Sequence, residues 1–243
     1  MTEPDFSDLA AQHSLGDDPV PEPVAERAHG RPVELVWRND LGGLTFRIDD
    51  EFVKWNPRRT GVDLELERVR LEWLTGRHPA PRVLGCGQDE DAQWLITESL
   101  PGESAVGDKW RARRPEAIRA IATGLRAIHS VPIENFSSAW VSEVWVGRTP
   151  ESIGPRPPVH DVVLVHGDAC APNTLISPEG EWTGNVDFGD LAVGDRWADL
   201  AVASLSLDWN FGEGHQDELF DAYGIEPDEQ RIRYYRALWH LES

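Results

Sequence analysis

Residues 165–173 read VHGDACAPN, and residues 187–189 read DFG. Asp168 and Asn173 are five residues apart, and Asp187 follows Asn173 by fourteen residues. Phosphoryl transfer to a hydroxyl uses one carboxylate to receive the hydroxyl proton, and an amide oxygen with a second carboxylate to hold metal ions. The spacing therefore predicts a phosphoryl-transfer site.

The same spacing occurs in protein kinases, whose catalytic loop reads HRDxxxxN and whose metal site reads DFG. In this chain Gly167 replaces the arginine. The replacement removes the side chain with which an activation-loop phosphate would pair. It favours a small-molecule kinase over a protein kinase that is switched by phosphorylation.

Composition excludes several classes of protein. A chain of 243 residues can bury a sizeable core, and its formal charge of −20 argues against binding to nucleic acid or to an anionic membrane surface. The two cysteines, Cys86 and Cys170, show no metal-ligand spacing, no apolar run is long enough to span a bilayer, and the acidic N-terminus lacks a secretion signal. These features predict a cytoplasmic protein.

Charge is unevenly distributed along the chain. Residues 159–243 hold 17 Asp or Glu residues and 4 Arg, with no Lys, which predicts attraction of a cationic substrate. Lys54 and Lys109 are the only lysines, beside 21 arginines. A lysine kept on a predicted strand of such a chain indicates a need for a compact ammonium group at Lys54.

The first hundred residues predict a small sheet. Residues 1–31 read as a loose arm with one short helix near 6–12, and residues 32–97 as a nucleotide-binding lobe. Apolar runs predict strands over 33–37, 44–48, 51–55, 81–85 and 94–97, and the spacing of apolar residues predicts a helix over 62–75.

The remainder of the chain predicts a helical lobe. Residues 98–103 break the pattern and read as a hinge, and residues 104–243 follow as a helical lobe with the catalytic loop and the acceptor site. Helices are predicted over 115–129, 195–207, 216–223 and 227–241, with short strands over 162–165, 174–176 and 184–186. The predicted fold is α+β and bilobal, like that of protein kinases: a five-stranded antiparallel N-lobe with one helix, a hinge with a nucleotide cleft, and a mostly helical C-lobe.

Five stretches together resemble one family, the His166 motif and four others. Residues 185–201 (NVDFGDLAVGDRWADLA) follow the His166 motif, and 71–74 (LEWL), 79–84 (PAPRVL) and 94–102 (WLITESLPG) precede it. They closely resemble the aminoglycoside O-phosphotransferases, best those acting on 3′ and 3″ hydroxyls, from about residue 34 to about residue 238. The resemblance implies transfer of the γ-phosphate of ATP or GTP, with Mg²⁺, to an aminoglycoside hydroxyl, and hence antibiotic resistance.

The resemblance also implies roles for residues of the catalytic loop. Asp168 matches the catalytic base, or the carboxylate that orients the hydroxyl, and Asn173 and Asp187 match the metal ligands. His166 and Asp199 match architectural residues: an imidazole that braces the loop and a carboxylate that holds its amides.

Nucleotide contacts are implied in the same way. Lys54 matches the residue that pairs with the α- and β-phosphates, and Glu67 the carboxylate that positions it, with Glu65 and Glu72 as rivals by spacing. The other matches are the Gly42-Gly43 pair in the 39–43 loop over the phosphates, and backbone groups of two hinge residues facing the adenine, Glu98 and Leu100.

The segments expected to line the acceptor site differ from those of the family. Segment 131–160 is shorter and holds few carboxylates, Asp190 stands where the family often has Arg, and the C-terminus ends WHLES. We expect Asp190, with Asp208 and Glu213 as looser candidates, to line a pocket for protonated amines. Alternatives are a kinase of another amino sugar, sugar or amino alcohol, or a nucleotide-binding module without catalysis. We expect a monomer or a weak dimer.

Overall fold

The computed structural model describes residues 20–39, 41–137, 140 and 145–242. Their contacts divide them into two compact units. The sheet unit comprises the described residues up to 75 together with 80–100. The helical unit comprises 76–79 and the described residues from 101 onward.

The sheet unit contains one antiparallel sheet whose strand order is β1-β2-β3-β5-β4. Its elements are α1 (Glu22–Ala28), β1 (Glu34–Arg38), β2 (Leu44–Ile48), β3 (Glu51–Pro57), α2 (Leu64–Leu74), β4 (Val83–Gln88) and β5 (Ala92–Glu98). Asp63 caps α2 because its carboxylate accepts the N–H groups of Glu65 and Leu66. All five predicted strands form.

The prediction of a loose arm over residues 1–31 is wrong for residues 22–28, which form α1. Pro23 lies in the first turn, where its missing N–H costs nothing. Val24 and Ala28, four residues apart on one helix face, are buried in the core of the sheet unit. Within 32–97 the predicted α-helix forms as α2, and α1 adds a second α-helix to the described part of this unit, ahead of that range. The helix predicted near 6–12 lies outside the described residues.

The helical unit packs five helices with two small sheets within its described residues. Its elements are β6 (Glu103–Ser104), α3 (Asp108–Ala112), α4 (Arg114–His129), β7 (Val162–Val165), β8 (Thr174–Ile176), β9 (Trp182–Asn185), β10 (Ala192–Asp195), α5 (Trp197–Phe211), α6 (Gln216–Tyr223) and α7 (Glu229–Glu242). α5 packs against α4, α6 and α7. Since α5 is apolar on nearly every side, it occupies the centre of this core.

One hairpin and one antiparallel strand pair place the motifs of the sequence. β8 pairs with β9, and β7 pairs with β10, which the sequence did not predict. In the β7–β10 pair Val165 lies opposite Ala192, so the segment that follows β7 and the segment that precedes β10 lie at the same end of the pair. Within the described residues, every helix is too short or too polar to cross a membrane.

Candidate active site

The β8–β9 hairpin brings the two predicted metal ligands to the same end. Asn173 ends a 3₁₀ turn immediately before β8, and Asp187 comes two residues after β9. The hairpin is held at this end because Val186 N–H donates to the Asn173 carbonyl at 3.0 Å. An antiparallel pair thus places together residues that are fourteen apart in sequence.

Asp168 lies beside Asn173. The Asn173 side-chain nitrogen donates to the carbonyl oxygen of Asp168 and to its carboxylate Oδ2, both at 3.0 Å. The other carboxylate oxygen, Oδ1, is buried without a hydrogen-bond partner among the described residues. Burial and the negative charge of Asp187 raise the pKa of Asp168, and the neighbouring Cys170 thiol and Asn173 amide offset this in part.

The backbone of the loop is fixed by side chains. Asp199 is fully buried, and its two carboxylate oxygens accept the N–H groups of His166 at 2.7 Å and Gly167 at 3.0 Å. His166 Nε2 donates to the carbonyl of Val186 at 2.9 Å, which leaves Nδ1 to accept the Asp168 N–H at 3.2 Å. The predicted architectural residues, His166 and Asp199, therefore contact the three successive amides that lead to Asp168.

The backbone conformation and the space around position 167 both require glycine there. Its φ is +85°, in the region that favours glycine. A Cβ at this position would lie 1.9 Å from the carbonyl oxygen of Asp190. The backbone of Asp190 thus occupies the volume that any side chain at Gly167 would need.

Asp187 is held in an unusual conformation. Its φ is +67° and its side chain is exposed, while the next residue, Phe188, is fully buried. The Phe188 ring packs against the ring of His166, with centroids 4.7 Å apart, and edge-on against His78 at 5.8 Å. Burial of Phe188 therefore stabilises the strained turn that presents the Asp187 carboxylate.

The donor set fits a magnesium ion. Since the nitrogen of the Asn173 amide is used by Asp168, its oxygen is the atom left for a cation, and Asp187 adds a carboxylate. Mg²⁺ is bound by few protein oxygens and completes its shell with phosphates and water.

In the sheet unit, Lys54 pairs with Glu67. Lys54 Nζ on β3 lies 2.6 Å from Glu67 Oε1 on α2, and Glu67 is buried. The two rivals, Glu65 and Glu72, face solvent and pair with Arg68. The geometry therefore selects Glu67 as the partner of Lys54.

The loop between β1 and β2 is held by internal hydrogen bonds. Gly42 N–H donates to the carbonyl of Asn39 at 3.0 Å, and Gly43 N–H donates to the Asn39 side-chain oxygen at 2.6 Å. A Cβ on Gly43 would collide with the side chain of Asn56. In this conformation both glycine amides serve the hairpin, so they are not free to bind phosphate.

The structure limits which backbone group of Glu98 could contact an adenine. Glu98 ends β5, and its N–H donates to the Arg82 carbonyl at 2.9 Å, while its side chain pairs with Arg82 at 2.8 Å. Because this N–H is already used, the prediction for Glu98 is limited to its carbonyl group. Leu100 lies two residues beyond β5 and is half-buried.

The predicted acceptor carboxylates differ in their surroundings. Asp190 is partly buried next to Gly167 in the catalytic loop. Asp208, on α5, lies 3.7 Å from Arg236, and burial raises its pKa, while Glu213 is exposed in the loop after α5. Asp208 therefore already has a cationic partner, which weakens its assignment to a substrate pocket.

Two residues of this site were missed from the sequence. His129, the last residue of α4, donates from Nε2 to Asp199 at 3.0 Å and accepts from the Tyr223 hydroxyl at Nδ1, 2.8 Å away. Trp145, in a 3₁₀ turn, donates to the Gly167 carbonyl at 2.7 Å. A histidine in a last helical turn reads as a capping residue, and the segment around Trp145 has no periodicity, so neither gave a signal.

The fold and these groups are those of a kinase-like phosphotransferase. The sequence profile of the phosphotransferase enzyme family matches residues 36–154 and 151–235. The chain belongs to this family, among the aminoglycoside O-phosphotransferases.

Relatives agree in sequence and in structure. An aminoglycoside 3′-phosphotransferase of Streptomyces fradiae is 33% identical, with 75% of this chain and 81% of the relative covered. The streptomycin 3″-kinase of Streptomyces griseus is 30% identical, with 92% and 98% covered. The structure of a 3″ aminoglycoside phosphotransferase of Streptomyces rimosus superposes with a TM-score of 0.68 at 26% identity, with 89% and 95% covered, and the same enzyme is also known in complex with ADP and streptomycin. The predicted α+β, kinase-like fold is confirmed.

Proposed function

We propose that this chain transfers the γ-phosphate of a nucleoside triphosphate to a hydroxyl of an aminoglycoside, with Asp168 receiving the hydroxyl proton. One observation carries the assignment: a buried carboxylate oxygen, Asp168 Oδ1, makes no hydrogen bond of ordinary geometry among the described residues, where the Cys170 thiol beside the carboxylate is only a weak donor. A buried acceptor without a partner is rare in folded proteins. A substrate hydroxyl would supply the missing hydrogen bond.

Asp168 orients the hydroxyl before it receives the proton. The Asn173 amide fixes Oδ2 of Asp168, so Oδ1 is the oxygen that accepts from the substrate. As the hydroxyl oxygen bonds to the γ-phosphorus, the bond to the leaving nucleoside diphosphate breaks and the proton passes to Oδ1. Since the transition state is loose, orientation contributes more than basicity.

Asn173 and Asp187 hold the metal in this proposal. A bound Mg²⁺ would neutralise charge on the phosphate oxygens during transfer. The strained backbone of Asp187, fixed by the buried Phe188 ring, keeps its carboxylate in place while the nucleotide exchanges.

The sheet unit supplies the nucleotide contacts. Lys54, held by Glu67, contacts the α- and β-phosphates as a compact positive charge. The carbonyl of Glu98 and a backbone group of Leu100 contact the base. Because the amides of Gly42 and Gly43 are used within their hairpin, that loop contributes shape more than hydrogen bonds.

The acceptor is a polyamine sugar in this proposal. The strongly acidic C-terminal part and the relatives named for aminoglycosides support it. Use of ATP or GTP as the donor, a monomeric or weakly dimeric state and a cytoplasmic location stay predictions from the sequence.

The test measures nucleotide consumption with Mg²⁺ for kanamycin, for tobramycin, which lacks the 3′-hydroxyl, and for streptomycin. We expect turnover with at least one, loss of it in Asp168→Asn with nucleotide binding retained, and no loss in Asp217→Asn, an exposed carboxylate on α6. Turnover only with a neutral sugar or an amino alcohol would make the chain a different small-molecule kinase. Binding of nucleotide without turnover on any acceptor would leave a non-catalytic module. Growth of a sensitive bacterium expressing the chain tests resistance directly.

A further inference from the structure

Trp145 contacts the catalytic loop from a segment outside the motifs. Its indole Nε1 donates to the carbonyl oxygen of Gly167 at 2.7 Å, and the residue is 6% exposed. The hydrogen bond is therefore shielded from water and cannot be replaced by solvent without opening the core.

The accepting carbonyl belongs to the peptide that carries Asp168. At one end of this peptide group, the Gly167 carbonyl accepts from Trp145. At the other end, the Asp168 N–H donates to His166 Nδ1 at 3.2 Å. A planar peptide held at both ends cannot rotate about its flanking bonds, and the second of these bonds sets the direction of the Asp168 side chain.

Glycine makes this restraint necessary. Gly167 has no Cβ and adopts φ of +85°, so its own torsions resist rotation less than those of any other residue. The Asp190 carbonyl, which excludes a Cβ at Gly167, limits rotation of the Gly167 backbone in one direction. The hydrogen bond from Trp145 fixes the orientation of the Gly167–Asp168 peptide group. External hydrogen bonds thus replace the stiffness that a side chain would give.

Trp145 is itself held by the C-terminal helix. Its ring packs edge-on against Trp239 of α7, with centroids 5.4 Å apart and planes at 79°. The next residue, Val146, is buried against Gly194 of β10, where a Cβ would lie 2.7 Å from Val146 Cγ1. The contact between Trp145 and the loop is therefore part of a packed core.

We propose that Trp145 is a positioning residue that sets the orientation of the Asp168 carboxylate, and that Trp239 couples α7 to it. This inference rests on the proposed role of Asp168. It gives Trp145 and Trp239 a function in the chemical step. The relevant quantity is kcat, since neither tryptophan faces the nucleotide or the acceptor in this proposal.

The experiment compares Trp145→Phe with Trp110→Phe. Trp110 is fully buried in the same unit, and its indole nitrogen has no hydrogen-bond partner among the described residues, so this variant loses the same volume without the hydrogen bond. We expect Trp145→Phe to lower kcat about tenfold to a hundredfold, as a misplaced catalytic group does, with both KM values unchanged. Trp110→Phe should lower the melting temperature similarly and keep kcat within about twofold of wild type.

Two further variants complete the test. Replacing Trp145 with β-(3-benzothienyl)alanine keeps the ring shape but removes the N–H, and it decides the matter if Trp145→Phe does not fold. Trp239→Leu should lower kcat less, again at constant KM. Equal kcat values for the Trp145 and Trp110 variants, or a normal kcat with the benzothienyl ring, would overturn the positioning role. Substantial activity in Asp168→Asn would instead overturn the proposed role of Asp168.

Discussion

Lys54 Nζ and Glu67 Oε1 form an ion pair at 2.6 Å, and the Glu67 side chain is only 6% exposed. Asp63, at the N-cap of α2, and the β3–β5 pairing fix the two elements that carry them. We expect Glu67→Gln to lower kcat/KM for the nucleotide at least tenfold, because the ammonium loses the charge that positions it.

Glu65→Gln is the matched control, since it is the same change two residues away on an exposed pair with Arg68. Steady-state kinetics at varied nucleotide should show no effect there, because exposed pairs contribute under about 1 kcal/mol. Lys54→Arg should not restore full activity, because a guanidinium is wider than an ammonium. Wild-type kinetics in Glu67→Gln would remove this pair from the nucleotide site.

Gly167→Ala should be strongly destabilising. The change forces a Cβ into a backbone with φ of +85° and into the carbonyl of Asp190. Gly224→Ala, at φ of +87° in the left-handed region with open space around it, isolates the conformational cost of about 1–2 kcal/mol. Urea unfolding should show that Gly167→Ala costs clearly more, about 3 kcal/mol or above. Similar losses for the two variants would mean that the loop yields easily.

Asp187→Asn should raise the Mg²⁺ concentration needed for the half-maximal rate. A neutral amide oxygen holds a hard dication less well than a carboxylate does. The measurement is a Mg²⁺ titration at saturating nucleotide and acceptor, with Asp161→Asn, an exposed carboxylate, as the control. An unchanged titration would exclude Asp187 from the metal site.

Acceptor binding should depend on salt and on Asp190 more than on Asp208. Arg236 lies 3.7 Å from Asp208, whereas Asp190 lies between Asp187 and β10, with its backbone against Gly167 of the catalytic loop. We expect Asp190→Asn to raise the aminoglycoside KM about fivefold, which corresponds to a charge interaction of about 1 kcal/mol, and added salt to raise it in wild type. Asp208→Asn should change it little. A KM that ignores both salt and Asp190→Asn would favour a neutral acceptor.

The free energy of unfolding should fall in mild acid because His78 is buried in its neutral form. Burial lowers the pKa of His78 to about 4, and its Nε2 lies 3.2 Å from the Asn185 side-chain oxygen. Below its unfolded pKa of about 6.5, the unfolded chain gains a proton that the folded chain does not, so stability is lost between about pH 6.5 and pH 4. Urea unfolding measures the free energy of unfolding at pH 7 and pH 5. Between these two pH values the wild type should lose up to about 2 kcal/mol more than His78→Gln. His160→Gln, on the surface, should retain the wild-type loss.

The sequence alone determined the catalytic motif and most elements. Spacing suffices there because Asp168, Asn173 and Asp187 follow each other through local turns and one hairpin, and apolar periodicity marks helices such as α4 and α6. Residues 22–28 were misassigned because a seven-residue helix between prolines has too little periodicity, and burial against the sheet stabilises it.

Only the tertiary structure decided which groups act on these motifs. The selection of Glu67 over Glu65 and Glu72 depends on which face of α2 meets β3. The contacts of His129 with Asp199 and of Trp145 with Gly167 join residues 70 and 22 positions apart. Hydrogen bonds of this kind depend on packing between elements distant in sequence, and a pattern read along the chain carries no record of them.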